Sequence, residues 1–293
     1  MNTQKITIDT SLVCNLIASQ FPQWKNLPIK PILPGGWDNR CYQLGNEMIV
    51  RLPSAERYAD KVAKEQKWLP KLADNLSLKI PSPLVMGNPS DQYPWHWSIY
   101  RWIPGQTVYD TKTVDKNALA KSLAHFLLEL QAIDTVGAPL SGQHNFYRGG
   151  DLSVYDYETQ NAIEILKEKI DVLKANHIWK KALSSQWQNA PVWVHGDISI
   201  GNLLIENEQL SAVIDFGGVC IGDPACDLVI AWTYFDKISR LLFQENMRLD
   251  SDTWNRARGW ALWKALIVAA QSSNTNQVEK DQAWHTLEIL LSE

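Results

Sequence analysis

Apolar residues alternate or cluster in short runs over the first hundred positions and recur at helical spacing over most of the rest, with the change near Gly105. Leu12, Val13, Leu16 and Ile17 share one stripe within residues 11–20, which predicts a short amphipathic helix. Residues 30–33, 40–44 and 48–52 read as strands, parted by Pro34-Gly35-Gly36-Trp37-Asp38-Asn39 and by Gly45-Asn46. A helix over about 59–69 places Val62, Gln66 and Leu69 on one stripe, and Pro70 is expected to end or kink it. Residues 93–102 alternate, with Trp95, Trp97 and Ile99 on one face, and lead into Ile103-Pro104-Gly105, a natural hinge. Beyond it, Ala118, Leu119, Leu123, Phe126, Leu127 and Leu130 mark a helix over 117–133, a second is expected over 158–174, and Trp254, Trp260 and Trp263 fall in further helices. The pattern predicts an α+β chain with a small antiparallel N-terminal lobe, 1–103, and a larger, mainly helical C-terminal lobe, 104–293.

One stretch breaks the pattern with chemistry. His195-Gly196-Asp197 is followed by Asn202 and then by Ile214-Asp215-Phe216-Gly217. Leu203-Leu204-Ile205, a polar turn at 206–209 and the apolar run 210–216 form a hairpin, so Asn202 before it and Asp215 after it should end side by side. Phosphoryl transfer needs Mg²⁺ held by hard oxygens and one carboxylate to take the proton of an acceptor hydroxyl. Asn202 and Asp215 suit the metal and Asp197 suits the acceptor. His195 is better suited to bracing the loop through its ring nitrogens than to carrying protons.

These motifs, with Gly222-Asp223-Pro224-Ala225-Cys226-Asp227-Leu228, resemble the aminoglycoside phosphotransferase family, small-molecule kinases of two-lobed, protein-kinase-like fold. The resemblance implies Asp197 as catalytic base, Asn202 and Asp215 as magnesium ligands, Asp227 as a brace beneath the loop, and ATP or GTP as donor. It also implies that the backbone of Arg101-Trp102-Ile103 meets the adenine edge, with Tyr100 behind it. Protein kinases carry His-Arg-Asp and an Ala-Pro-Glu segment; this chain has neither, which argues against a protein substrate.

The third strand ends in Arg51, where kinases carry the lysine that grips the α- and β-phosphates, and Glu65 is its expected partner. That replacement also leaves open a nucleotide-binding pseudokinase with a regulatory role. Gly35 and Gly36 suit either a phosphate-covering turn or an ordinary hairpin. Residues 143–151, polar and aromatic without periodicity, suit an acceptor lid or a packed connector. Among the later aromatics, Trp232 and the carboxylate Asp236 are the candidates for touching an acceptor.

Composition changes little in this picture. The 293 residues, 45% hydrophobic and 20% charged, describe an ordinary globular chain, with no basic-aromatic interleaving for nucleic acid, no membrane-length apolar run and no signal-peptide core, so a cytoplasmic enzyme is expected. Cys14, Cys41, Cys220 and Cys226 form no metal or redox spacing and read as free buried thiols. Residues 1–105 hold 12 Lys and Arg against 8 Asp and Glu, whereas 106–293 hold 16 against 24. A positive first part suits a polyphosphate and a negative second part suits a cationic acceptor. Aminoglycosides, macrolides, choline-like amines and sugars all remain open as acceptors.

Overall fold

The computed structural model describes residues 6–33, 38–271 and 277–293. Gly35 and Gly36 lie outside the described residues. The chain divides into two compact units, one comprising residues 1–105 and 212–217, the other 106–211 and 218–293. The six residues around Asp215 therefore belong with the N-terminal unit, which a division at the hinge alone does not anticipate.

In the first unit, α1 (Thr10–Gln20) starts at Asp9, whose carboxylate accepts the Leu12 N–H, and buries Val13, Leu16 and Ile17. Five strands follow: β1 (Ile29–Pro31), β2 (Asn39–Leu44), β3 (Met48–Pro53), β4 (Pro83–Gly87) and β5 (Trp97–Arg101). They form one antiparallel sheet in the order β1-β2-β3-β5-β4. The alternation expected over 93–102 is strand only from Trp97, because Tyr93 closes a turn with Ser90 through paired backbone hydrogen bonds. Trp97 and Ile99 are fully buried with Val50, Leu52 and Leu44 against α1. Gly87 is required beside that indole: a Cβ there would lie 2.0 Å from Trp97.

Helix α2 (Asp60–Ala73) continues past Pro70 instead of ending at it. The apolar stripe carries it, since Leu69 and Leu72 on either side of the proline are both fully buried and tertiary packing outweighs the lost hydrogen bond. Val213 and Lys79 join the returning segment to this unit through a backbone hydrogen bond of 3.0 Å.

The second unit begins with β6 (Gln106–Thr107) and α3 (Lys116–Ala132), capped by Asp115 and burying Leu119, Leu123, Phe126, Leu127 and Leu130. The single helix expected over 158–174 is two, α4 (Asp156–Leu166) and α5 (Val172–Leu183), because Asp171 turns its carboxylate onto the Lys174 N–H and starts a new helix. Next come β7 (Val192–Val194), the hairpin β8 (Leu203–Glu206) and β9 (Gln209–Val213), and β10 (Cys220–Gly222), which pairs antiparallel with β7. The hairpin lies between Asn202 and Asp215 as the sequence predicts. The helices α6 (Ile230–Thr233), α7 (Lys237–Met247), α8 (Ser251–Ala270) and α9 (Gln277–Ser292) complete the unit, and α8 packs against α4, α5 and α9. All four thiols are free, but only Cys220 and Cys226 are buried; Cys14 is exposed and Cys41 half-buried, since each sits off the apolar stripe of its element.

Candidate active site

On β3 the register sets Arg51 opposite Cys41 of β2 and Ser98 of β5, inside the sheet and facing α2. Its Nη1 donates to Glu65 at 3.2 and 3.4 Å, and its Nη2 donates to Asp215 Oδ1 at 2.9 Å. Tyr100 donates its hydroxyl to the same Glu65 carboxylate at 2.5 Å, and the guanidinium carbon lies 5.5 Å from the Tyr100 ring. Burial works against the charge of Arg51, but Glu65 and then Asp215 outweigh it and hold the guanidinium well above its ordinary pKa. Burial and the Glu65 carboxylate push the Tyr100 hydroxyl well up as well, so it stays a proton donor. Tyr100 is 1% exposed. It positions Glu65 and, almost wholly buried, offers little surface to a nucleotide.

Asp215 sits at φ +66, a left-handed conformation that ordinarily costs a non-glycine residue about 1–3 kcal/mol. Arg51 on one side and the Lys64 ammonium, which donates to the Gly217 carbonyl at 2.8 Å, hold the turn in place. The Asp215 side chain remains 38% exposed, so the carboxylate that Arg51 anchors still reaches solvent.

In the second unit the loop after β7 is built on Asp227, which is fully buried. Its two carboxylate oxygens accept the N–H groups of His195 and Gly196, both at 2.7 Å. Gly196 has φ +84, and a Cβ there would lie 2.8 Å from the Gly218 carbonyl oxygen, so glycine is obligatory at the turn. His195, also fully buried, accepts the Asp197 N–H on Nδ1 at 3.1 Å, which puts its proton on Nε2 and makes it a brace of the loop. Asp197 itself is exposed. Asn202 donates its amide to the Asp197 carbonyl at 2.9 Å and carboxylate at 3.1 Å, leaving its own amide oxygen without a hydrogen bond among the described residues.

The sequence matches the model of a phosphotransferase enzyme family (APH) over residues 29–260. The chain belongs to that phosphotransferase family. No curated protein matches it. Among solved structures it is similar to the GDP complex of wild-type aminoglycoside 2'-phosphotransferase-IIIa, at 19% identity over 97% of this chain and 99% of that one, with a TM-score of 0.70. It is also similar to the streptomycin-ATP complex of APH(2")-IIa, at 19% identity over 97% of each chain and a TM-score of 0.59. A macrolide 2'-phosphotransferase, MphH from Brachybacterium faecium, matches at 19% identity over 94% of this chain and 97% of that one, with a TM-score of 0.60. These similarities establish the kinase-like two-lobed fold.

Other expected residues of the phosphotransferase are placed less simply. In the hinge segment, Arg101 donates its N–H to Ser82 at 2.9 Å and Trp102 donates to Glu47 at 2.7 Å, so Ile103 carries the N–H that has no partner among the described residues. Trp232 is 3% exposed, packs on Trp254 and directs its indole N–H to Glu293, because its helical position faces inward. Asp236 caps α7, accepting from Ile238 and Ser239, and the Ser239 N–H first of all holds its pKa down. Neither arrangement is that of an acceptor contact. Residues 143–151 form a packed connector more than a lid: Asn145 is fully buried and its amide ties the Arg148 and Gly218 carbonyls.

Two features have no local signal in the sequence. Arg256 donates to Asp223 at 2.6 Å in a buried ion pair that holds the turn carrying Asp227. Arg148 lies over the faces of Trp260 and Trp263 at 5.1 and 5.0 Å. The motif containing Asp223 is visible in the sequence, but its partner lies on a distant helix.

Proposed function

We propose that this phosphotransferase transfers the γ-phosphoryl group of ATP or GTP to the hydroxyl of a small molecule in the cytoplasm. Asp197 takes the hydroxyl proton, the freed oxygen bonds to the γ-phosphorus, and the bond from that phosphorus to the β,γ-bridging oxygen breaks to release the nucleoside diphosphate. Arg51, anchored by Glu65, grips the donor phosphates, and the Ile103 N–H meets the base. The acceptor hydroxyl is oriented by the same Asp197 carboxylate that Asn202 holds still.

Asn202 and Asp215 would hold Mg²⁺. Among the described residues no group of three or more His, Cys, Asp and Glu side chains is gathered for a metal. The donor set nevertheless fits magnesium, which takes one or two protein oxygens and completes its shell with water and substrate phosphates. When bound, the ion supplies charge neutralisation at the β- and γ-phosphates. The unpartnered amide oxygen of Asn202 and the partly exposed carboxylate of Asp215 are oxygens of that kind.

The observation that carries this reading is the arrangement of Arg51, Glu65 and Asp215, a permanently charged guanidinium held between two carboxylates of which one still reaches solvent. Calorimetry with ATP and GTP, with and without Mg²⁺, tests it. Asp215→Ala should abolish the magnesium-dependent part of nucleotide binding. Asp197→Ala should bind nucleotide nearly as the wild type does while turnover drops by about 10²-fold or more. Full turnover in Asp197→Ala removes the proposed base.

A further inference from the structure

One side chain adjoining the catalytic loop in the second unit runs against the charge of that unit as a whole. Arg148 adjoins the loop directly, its Cβ 3.3 Å from the place a Cβ on Gly196 would occupy. Its backbone is fixed: the carbonyl accepts from Asn145 at 3.0 Å and from the Cys220 thiol at 3.1 Å, and the N–H donates to Asn145 at 3.3 Å. The guanidinium rests on Trp260 and Trp263, so the indoles take its face and leave its N–H edges. Among the described residues Arg148 has no side-chain hydrogen bond and no ion pair.

Lys264 follows Trp263 and lies one helical turn beyond Trp260 on the same face of α8. It is exposed and likewise has no ion pair among the described residues. Glu158 is turned to the Trp263 indole, whose N–H it accepts at 3.1 Å. Surrounding protein and then Arg148 hold the Lys264 ammonium below its ordinary pKa, while Asp197, Glu279 and Glu158 act in the opposite sense. Arg148 thus adjoins the loop that carries Asp197, and Lys264 stands on the helix whose indoles carry the Arg148 guanidinium; neither makes an ion pair among the described residues. Two cations without ion-pair partners are groups that a bound anion would satisfy.

We infer that the alcohol phosphorylated here carries a carboxylate or phosphate of its own, gripped by Arg148 and Lys264 while its hydroxyl faces Asp197. The inference rests on the phosphotransferase reading above and sharpens its acceptor class. The negative charge of the C-terminal part argued for a cationic acceptor, but net charge governs approach over long range, whereas contact groups govern recognition. A guanidinium with its face stacked and its edges open suits a planar carboxylate or a phosphate in two-pronged contact.

The test uses three acidic alcohols (gluconate, glycerate and glycerol 3-phosphate), the neutral alcohols sorbitol and glycerol, and the cationic aminoglycoside kanamycin. Binding to the full-length protein is followed by calorimetry in the presence of Mg²⁺ and nucleoside diphosphate, and turnover by nucleoside diphosphate release. At least one acidic alcohol should bind more tightly than its neutral counterpart and than kanamycin. Lys264→Met and Arg148→Gln should each raise its KM by about 10- to 100-fold with a smaller change in kcat, as expected for losing a charge-assisted hydrogen bond. Lys264 is an exposed position, so its variant keeps the test valid should Arg148→Gln unfold. Three results overturn the inference: no acidic alcohol binding better than its neutral partner, kanamycin being preferred, or a fall in kcat with KM unchanged in Lys264→Met. The last would put the cations on the transferred phosphoryl group. Any of these can occur with magnesium-dependent nucleotide binding intact, in which case the phosphotransferase mechanism survives and only the acceptor class is lost.

Discussion

In the first unit Arg51 is held by side chains, with Glu65 and Asp215 on its two nitrogens and Tyr100 on Glu65. In the second, the loop bearing Asp197 is held through its backbone, with Asp227 on the N–H groups of His195 and Gly196 and with His195 on that of Asp197. Both arrangements bury a carboxylate, yet they ask different things of it. Glu65 balances a charge that never leaves at accessible pH. Asp227 satisfies neutral donors, so its role is one of shape and hydrogen bonding. On the mechanism proposed, a group that positions phosphates has to be a charge held against desolvation, whereas a group that positions a base has only to fix a backbone. The distinction predicts that the first arrangement fails by losing charge balance and the second by losing geometry.

Removing Glu65 is the harshest way to break the comparison. Glu65→Ala leaves Arg51 buried with one carboxylate and strands the Tyr100 hydroxyl, and the Arg51 and Glu65 side chains are only 11% and 5% exposed. Breaking one side of such a pair costs about 3–5 kcal/mol. Urea unfolding should show that loss, and Arg51→Met added to Glu65→Ala should recover part of the stability without recovering nucleotide binding. A double variant no more stable than Glu65→Ala alone would deny that charge balance is what Glu65 supplies. Gly196→Ala tests the other side more gently. The added methyl meets the Gly218 carbonyl and the φ of +84 strains it, at about 1–3 kcal/mol. Turnover should fall at least about tenfold because Asp197 moves with the loop, while calorimetric nucleotide affinity stays near that of the wild type. Loss of nucleotide affinity in Gly196→Ala would mean that the loop does more than position the base.

What could be read from sequence follows the same division. The loop joining Asp197 to Asn202 and the hairpin between Asn202 and Asp215 are legible because each is a local feature of the chain, and the Arg51–Glu65 pair because a strand end and the next helix have a restricted geometry. His195 as a brace is legible from its type and place, and Gly196 gains its reason only from the close approach of Gly218. Contacts between distant segments leave no local trace. Nothing near Asp223 announces Arg256, and nothing near Arg148 announces the indoles of α8. Strand β4 escapes notice because its edge position and starting proline give no alternation, and Gly87 within it is required only by Trp97. Trp232 and Asp236 mislead in the opposite way, because an aromatic ring and a carboxylate near a catalytic motif look like ligand contacts until burial and capping account for them.

The smallest effect separates the two buried carboxylates by pH. Burial raises the pKa of Asp227 above the ordinary aspartate value, and His195 with the two backbone N–H groups only partly offsets that rise. The folded state therefore keeps the Asp227 proton to a higher pH than the unfolded chain does. Its contribution is most favourable below the unfolded pKa, declines as pH rises through the folded pKa, and is constant above it. The amide in Asp227→Asn does not titrate, and Asp223, whose pKa burial also raises, is common to both proteins and cancels in the difference. Replacing one acceptor oxygen by an amide donor facing an N–H should itself cost about 1–3 kcal/mol. Urea unfolding of both proteins from about pH 4 to 7, the range over which a raised carboxylate titrates, should then show the wild type's advantage over Asp227→Asn shrinking as pH rises and levelling off. An advantage that grew with pH would mean that the ionised form is the one this fold prefers, and Asp227 would have to be grouped with Glu65 as a charge-balancing residue.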